Sequence, residues 1–449
     1  MLHAIEMKHL PGGLLCTVCA LFVAASGAAA GARAEAQAAQ APRVFLLDGQ
    51  HLQATKERIR NGDKSFAAAL ASLETDAEEA LSIAPLSVAN KDATPPSGDK
   101  RDYMSQAPYF WPDPNTSNGL PYIRRDGERN REIDKFPNHR QLDQLVDAVE
   151  TLALAYYFKA DEKFGAKAAT LLRVFFVESK TRMNPHLQYA QGIPGINTGR
   201  GIGLIETRGL TRLVDAVGLL NGCKAWTLSD QRSLEAWFSE FLRWMLESQN
   251  GREEAAAKNN HGTYYDLQAV SFALFVRRND LATNILLAAR EKRIAQQIEP
   301  DGRQPFELAR TKAWSYSLGN LQGLMSLARL GENAGVDLWN YQTADGRSIR
   351  KAIDYLMSFA VGDQEWPHQQ LGGWSAEGIH AVLRRAAPKY PSAPYRAIVL
   401  KRPDPDLTGR TRLLRPPLTE KENSLKAIPA GSPPSGITGA DCRVRGRRA

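Results

Sequence analysis

The sequence predicts an all-α chain whose helical hairpins build an (α/α) toroid, that is, an incomplete α/α barrel. Apolar residues recur at steps of three and four through most of the chain, and no convincing run of alternating strand pattern interrupts them. No fixed-length repeat stands out that would favour an open solenoid. Successive helical pairs without strands must bury their apolar stripes against one another, and without a repeat period a closed ring is the favoured way to do so.

The first element is a targeting segment. Lys8 precedes the apolar stretch from Leu14 to Ala25, and small residues lead to Ala32-Arg33-Ala34. A charged start, a short apolar centre and an A-x-A site describe a secretory signal peptide over residues 1–34. The apolar run falls well short of the ~20 residues that span a bilayer. Cleavage would therefore leave no stable membrane anchor, and a periplasmic or secreted location is expected. The mature chain keeps only Cys223 and Cys442, too few for a disulfide framework, and no Cys/His cluster suggests a zinc site. No metal and no cofactor are expected.

The body, residues 35–400, is read as one helical domain. Leu142, Leu145, Val146, Val149, Leu152 and Tyr156, then Phe164, Ala168, Leu171, Leu172 and Phe175, predict two amphipathic helices joined by a turn at residues 159–162. Similar segments recur at about 203–221, 229–249, 263–277, 280–298, 312–331, 347–361 and 371–387. Asn221-Gly222, Asn279-Asp280 and Asp301-Gly302 supply breaks between them. Residues 401–449 hold seven Pro and little periodicity, which predicts a largely disordered tail.

Charge narrows the partner. The formal total is +8, yet residues 401–449 carry +6 and residues 35–400 only +1. A near-neutral body with a basic tail lacks the broad basic face that phosphate backbones require, so nucleic acid is not expected as a partner.

Four stretches gather Trp, Tyr, His, Arg and Asn between helices, where a rigid scaffold presents functional groups. In the first, residues 98–114, Pro108, Pro112 and Pro114 exclude a helix while Tyr109 and Trp111 offer flat faces suited to sugar rings, and Lys100 offers a charge. The second combines His139 and Arg140 with Gln191 and Arg208 from downstream clusters. The third is Asn259-Asn260-His261, whose Asn residues suit a helix N-cap and whose amide and imidazole suit a carboxylate. The fourth holds Glu307, Arg310 and Tyr316. Arg310 and Tyr316 are six residues apart, which at about 100° per residue places them roughly 240° apart around a helix. They meet at one site only if Arg310 lies at or before the helix start.

Residues 98–112, Arg182-Met183-Asn184-Pro185, Glu206-Thr207-Arg208, Asn259-Asn260-His261 and Glu307-Leu308-Ala309-Arg310-Thr311, in that order, resemble the alginate lyase-domain family of polysaccharide lyases. The resemblance extends from about residue 45 to 395. It implies an α/α toroid, an anionic uronic-acid polysaccharide as partner, and β-elimination that leaves an unsaturated uronate. It also implies that Asn260, His261 and Arg310 neutralise the substrate carboxylate, with Tyr316 as general base and acid and Lys100, Tyr109, Trp111, His139, Arg140, Gln191 and Arg208 as substrate contacts. A neighbouring Arg310 would favour the tyrosine phenolate, and whether His261 or Tyr316 is the base stays open. The six-residue Arg–Tyr spacing departs from the best-known branch and resembles a sister branch acting on glucuronan as well as mannuronate-rich alginate. Two other readings compete: a glycoside hydrolase, which needs an acidic pair from among Asp99, Asp102, Glu206 and Glu307, and a non-catalytic polyuronate-binding protein.

Overall fold

A computed structural model of the chain describes residues 41–362, 364–376, 378–401, 409–415 and 418. The expected signal peptide, residues 1–34, and most of the expected tail lie outside the described residues.

Among the described residues fifteen α-helices follow in order: α1 (Gly49–Arg60), α2 (Ala67–Leu81), α3 (Asn138–Lys159), α4 (Glu162–Leu172), α5 (Leu210–Leu219), α6 (Leu228–Glu247), α7 (Gln249–Ala255), α8 (Asn260–Phe275), α9 (Asn279–Ala289), α10 (Pro305–Leu308), α11 (Ala313–Ala334), α12 (Ile349–Ala360), α13 (Ile379–Ala386), α14 (Tyr395–Lys401) and α15 (Thr411–Leu414). Neighbours pack as hairpins: α2 on α3, α3 on α4 and α5, α8 on α9 and α11, α11 on α12, α12 on α13. This is the α/α toroid that the periodicity predicts. Among the described residues no helix is long and apolar enough to cross a membrane.

The α3–α4 hairpin shows how sequence sets the turns. α3 ends where Ala160 takes a left-handed conformation, and Asp161 then caps α4 by accepting from the Lys163 amide. α8 is the central helix. It packs on α5, α6, α7, α9 and α11, and every one of its residues except His261 and Tyr264 is buried. Burial of each large side chain such as Phe272 stabilises the ring by about 1.5–3 kcal/mol. The start of α8 is fixed by a buried cation: Arg293 pairs with Asp266 at 2.7 Å and donates to the carbonyls of Ala255 and Ala257. Only glycine fits at 262, because a Cβ there would lie 2.1 Å from the Ala257 carbonyl and 2.4 Å from Arg293 Nη1.

The structure departs from the sequence reading at four places. α1 and α2, which no period read from the sequence predicts, pack onto the ring through Leu52 and Leu73. The segment expected at 371–387 is helical only from Ile379, because Gly372, Gly373 and Gly378 all adopt positive φ. Among the described residues there are four short strands: β1 (Met104–Gln106) pairs in parallel with β4 (Tyr189–Gly192), and β2 (Phe110–Trp111) pairs antiparallel with β3 (Ile123–Arg124). At two to four residues each, they are too short to show a period. Finally, part of the expected tail is ordered. Leu413 of α15 enters the core and Arg410 donates to Asp76 on α2 and Thr151 on α3.

Candidate active site

The toroid encloses a cleft of about 1090 Å³. Four elements supply its chemistry: the start of α8, the turn into α11, the β2–β3 hairpin and the β4 strand.

At the start of α8, Asn259 is the N-cap and accepts from the His261 amide. Asn260 is held by Glu307 of α10, whose buried carboxylate accepts from its backbone N at 2.5 Å and its Nδ2 at 2.8 Å. Burial raises the Glu307 pKa, and the Asn260 hydrogen bonds and the charges of Arg310 and His261 oppose that rise. His261 Nδ1 lies 2.7 Å from Oε1 of Glu254, a residue of α7 that is 1% exposed at its side chain. A carboxylate can only accept there, so Nδ1 carries the proton and the Nε2 of a neutral ring is left with a free lone pair.

Arg310 lies three residues before α11, so the geometric condition derived from its spacing is met. Its guanidinium sits 3.9 Å from the centroid of the Tyr316 ring. It is also taken up by Asp126, which follows β3: Nη2 donates to Oδ1 at 2.8 Å and Nε to Oδ2 at 3.0 Å. Burial works against ionisation of Asp126, but the bond and charge of Arg310 outweigh it and hold the carboxyl well below its usual range. The Asp126 backbone and side chain also accept from Thr311 Oγ1, which pins the hairpin to the Arg310 turn. The Tyr316 hydroxyl donates to the Tyr109 hydroxyl at 3.0 Å. Burial and that bond push the Tyr316 pKa above its ordinary value, and Arg310 pulls it down without reversing the shift. The expected phenolate is therefore not the resting form. Desolvation of the ring exceeds the attraction of a guanidinium already neutralised by Asp126.

Asn260, His261, Arg310, Tyr316, Tyr109, His139, Arg140, Gln191 and Arg208 all line this cleft. Gln191 is placed by β1–β4 pairing: its amide donates to Ser105 Oγ and its Oε1 accepts from Arg200 at 2.8 Å. Two expected contacts lie elsewhere. Lys100 Nζ donates to the Lys91 carbonyl at 3.0 Å and does not line the cleft. Trp111 donates to the Glu128 carbonyl and packs under Arg125, because it points to the other side of the β2 strand from the cleft residue Phe110. Sequence reasoning missed Glu254 and Asp126, and also Arg124, Arg200 and Lys312, which bring further positive charge to the wall. Of these, only Lys312 carried a local signal, its place two residues after Arg310.

The sequence model of the alginate lyase family matches residues 87–366. An alginate lyase from Bacteroides ovatus is 41% identical, with a TM-score of 0.79 over 83% of this chain and 99% of that chain. The chain belongs to the alginate lyase family. It is a polysaccharide lyase. A histidine-to-alanine variant of alginate lyase A1-III, solved with a tetrasaccharide, is 13% identical with a TM-score of 0.52 over 78% of this chain and 90% of that chain. At that identity the likeness is one of fold. No curated protein matches the chain.

Proposed function

We propose that this lyase cleaves a 1,4-linked uronic-acid polysaccharide, mannuronate-rich alginate or glucuronan, by β-elimination. The observation that carries the reading is the meeting of Asn260, His261, Arg310 and Tyr316 in one cation-rich cleft. The 41% identity to an alginate lyase supports the substrate class.

The chemistry requires three things. The C6 carboxylate must lose its repulsion so that the C5 proton becomes acidic, and preorganised donors do this. The second proton of Asn260 Nδ2 and the Nη1 of Arg310, which is not used in the pair with Asp126, are the donors assigned to it. A base must then take the C5 proton. His261 Nε2 fits, because Glu254 fixes the tautomer that leaves it unprotonated. As the C4–C5 double bond forms, the C4–O4 bond breaks and O4 takes a proton from the neutral Tyr316 hydroxyl. In both mannuronate and glucuronate H5 and O4 share a face of the ring, so one wall serves both sugars.

The four acids that the hydrolase reading named are each engaged elsewhere. Glu206 is spent on Tyr103 and Ser105, Glu307 on Asn260, Asp99 on Arg101, and Asp102 on Ser97 and Asn184. Incubation with polymannuronate, polyguluronate and glucuronan tests the proposal. New ultraviolet absorbance from the unsaturated product is expected with the first or third polymer, and cleavage without it would overturn the lyase chemistry for this substrate class. The leader read in residues 1–34 agrees with action in the periplasm or outside the cell, where such polymers are met.

A further inference from the structure

A second, smaller cavity of about 290 Å³ lies beside the cleft, lined by Ile202, Ala257, Lys258, Asn259, His261 and Phe306. It shares Ile202, Asn259 and His261 with the main cleft, so His261 stands at the boundary between the two spaces. Three of its side chains are left exposed to solvent. Phe306 is 42% exposed and Ile202 38% exposed, two of the few large apolar side chains left in solvent among the described residues. Lys258 is exposed and no ion-pair partner is found for it among the described residues. Each is nevertheless held on fixed backbone. Phe306 belongs to α10, whose next residue, Glu307, is anchored by Asn260, while Ile202 sits in a 3-10 helix (Gly201–Thr207) packed on α7.

Two apolar side chains and a cation lining one cavity is a set that suits a uronate, which has an apolar ring face and a carboxylate. We propose that this cavity is a sugar subsite on the far side of His261 from the main cleft. It takes one uronate residue of the polymer, with Phe306 and Ile202 against the ring and Lys258 on the carboxylate. The polymer then runs past His261 and is held on both sides of the bond that breaks. The inference rests on the proposed polyuronate substrate.

The test is binding, separated from turnover. In the full chain carrying Tyr316→Phe, affinities for a series of mannuronate and glucuronate oligomers from two to six residues are measured by calorimetry, with and without Lys258→Gln or Phe306→Ala. Both variants are expected to weaken the longer oligomers by about tenfold, the size of one stacking contact or one charge-assisted hydrogen bond, and to leave the shortest that bind unaffected. The Lys258→Gln loss should vanish at high salt, whereas the Phe306→Ala loss should persist. Because Phe306 adjoins Glu307 and Lys258 adjoins Asn259, the N-cap of α8, thermal unfolding of both variants is compared with the parent, and a binding loss counts only where the unfolding midpoint is unchanged. Losses equal at every length, or no loss at any length, would overturn the subsite. Oligomers that bind with the length-dependent loss, in a wild-type protein that forms no unsaturated product, would overturn the elimination chemistry and leave the subsite standing. Absence of any oligouronate binding would overturn both.

Discussion

Asp126 sits outside the cleft wall and no chemistry in the sequence points to it, yet its removal should damage both stability and turnover. The Asp126 and Arg310 side chains are 19% and 16% exposed, intermediate between a surface pair and a buried one. Exposed pairs contribute about 0–1 kcal/mol, and stripping one partner from a buried pair costs about 3–5 kcal/mol. Asp126→Ala also removes the acceptor of the Thr311 amide and one of the two acceptors of its hydroxyl, the backbone carbonyl of residue 126 remaining. A loss near 2 kcal/mol is the expected sum, read as a shift in the urea midpoint with unchanged slope. Arg310 would then be free to leave the Tyr316 face, and misplacement of about 1 Å is enough to lower kcat by up to ~10²-fold. Asp126→Asn separates geometry from charge, since its Oδ1 still accepts from the guanidinium while the negative charge is gone. It should keep most of the stability and tighten KM, because Arg310 then meets the substrate carboxylate with its charge unshared. The folded-state pKa of Asp126 lies below the unfolded value near 4, so its contribution is complete above that value and lost as pH falls below it. Wild type should accordingly lose more stability than Asp126→Asn on acidification below about pH 4. Unchanged unfolding and unchanged kcat in Asp126→Ala would refute the claim that this pair positions Arg310.

Four further outcomes follow from the site. Tyr316→Phe should lose ~10²-fold or more in kcat while still binding oligouronates, as measured by calorimetry, because only the proton to O4 is removed. Ultraviolet titration should place no phenolate difference between wild type and Tyr316→Phe below about pH 10, since the Tyr316 pKa is raised and the neutral form persists as pH rises. His261→Gln keeps an amide donor without a base, and should lose ~10²-fold or more in kcat; a retained rate would return the base role to Tyr316. Glu254→Gln should cost at least about tenfold in kcat with little change in KM, because it releases the His261 tautomer.

The helices were legible wherever an apolar stripe had room to repeat. α3, α4, α6, α8 and α11 fall close to the predicted spans, since burial against neighbours imposes the 3.6-residue period directly on composition. The residues of the cleft were legible where two polar side chains stand adjacent at a helix start, as Asn260 and His261 do. What stayed hidden was long-range pairing. Glu254 reads as one more acid in a polar stretch until the chain returns through α8, and Asp126 contacts Arg310 across 184 residues. Lys100 and Trp111 erred in the opposite direction. They share a segment with Tyr109, but Lys100 is spent on a carbonyl, and the alternation of β2 turns Trp111 away. A strand of two residues gives no period from which that facing could be read.

The electrostatics of the chain take on a local meaning once those partners are known. Residues 35–400 are nearly neutral, yet the cleft wall brings together seven Lys or Arg and only three Asp or Glu. Arg310 is already neutralised by Asp126, so the attraction for a polyanion falls to its neighbours. Arg200 is partly buried among these: burial and the nearby Arg124 lower its pKa to about 10, so it still carries its charge at neutral pH while losing hydration that a uronate carboxylate would replace. Such charges act over roughly a Debye length, about 8 Å at physiological ionic strength, which confines their pull to chain segments already at the cleft mouth. kcat/KM on polymer should therefore fall as salt rises while kcat holds, because salt screens capture and leaves the preorganised donors around C5 in place. Arg200→Gln should flatten that salt dependence, and an equally steep dependence in the variant would show that the capture charge lies elsewhere.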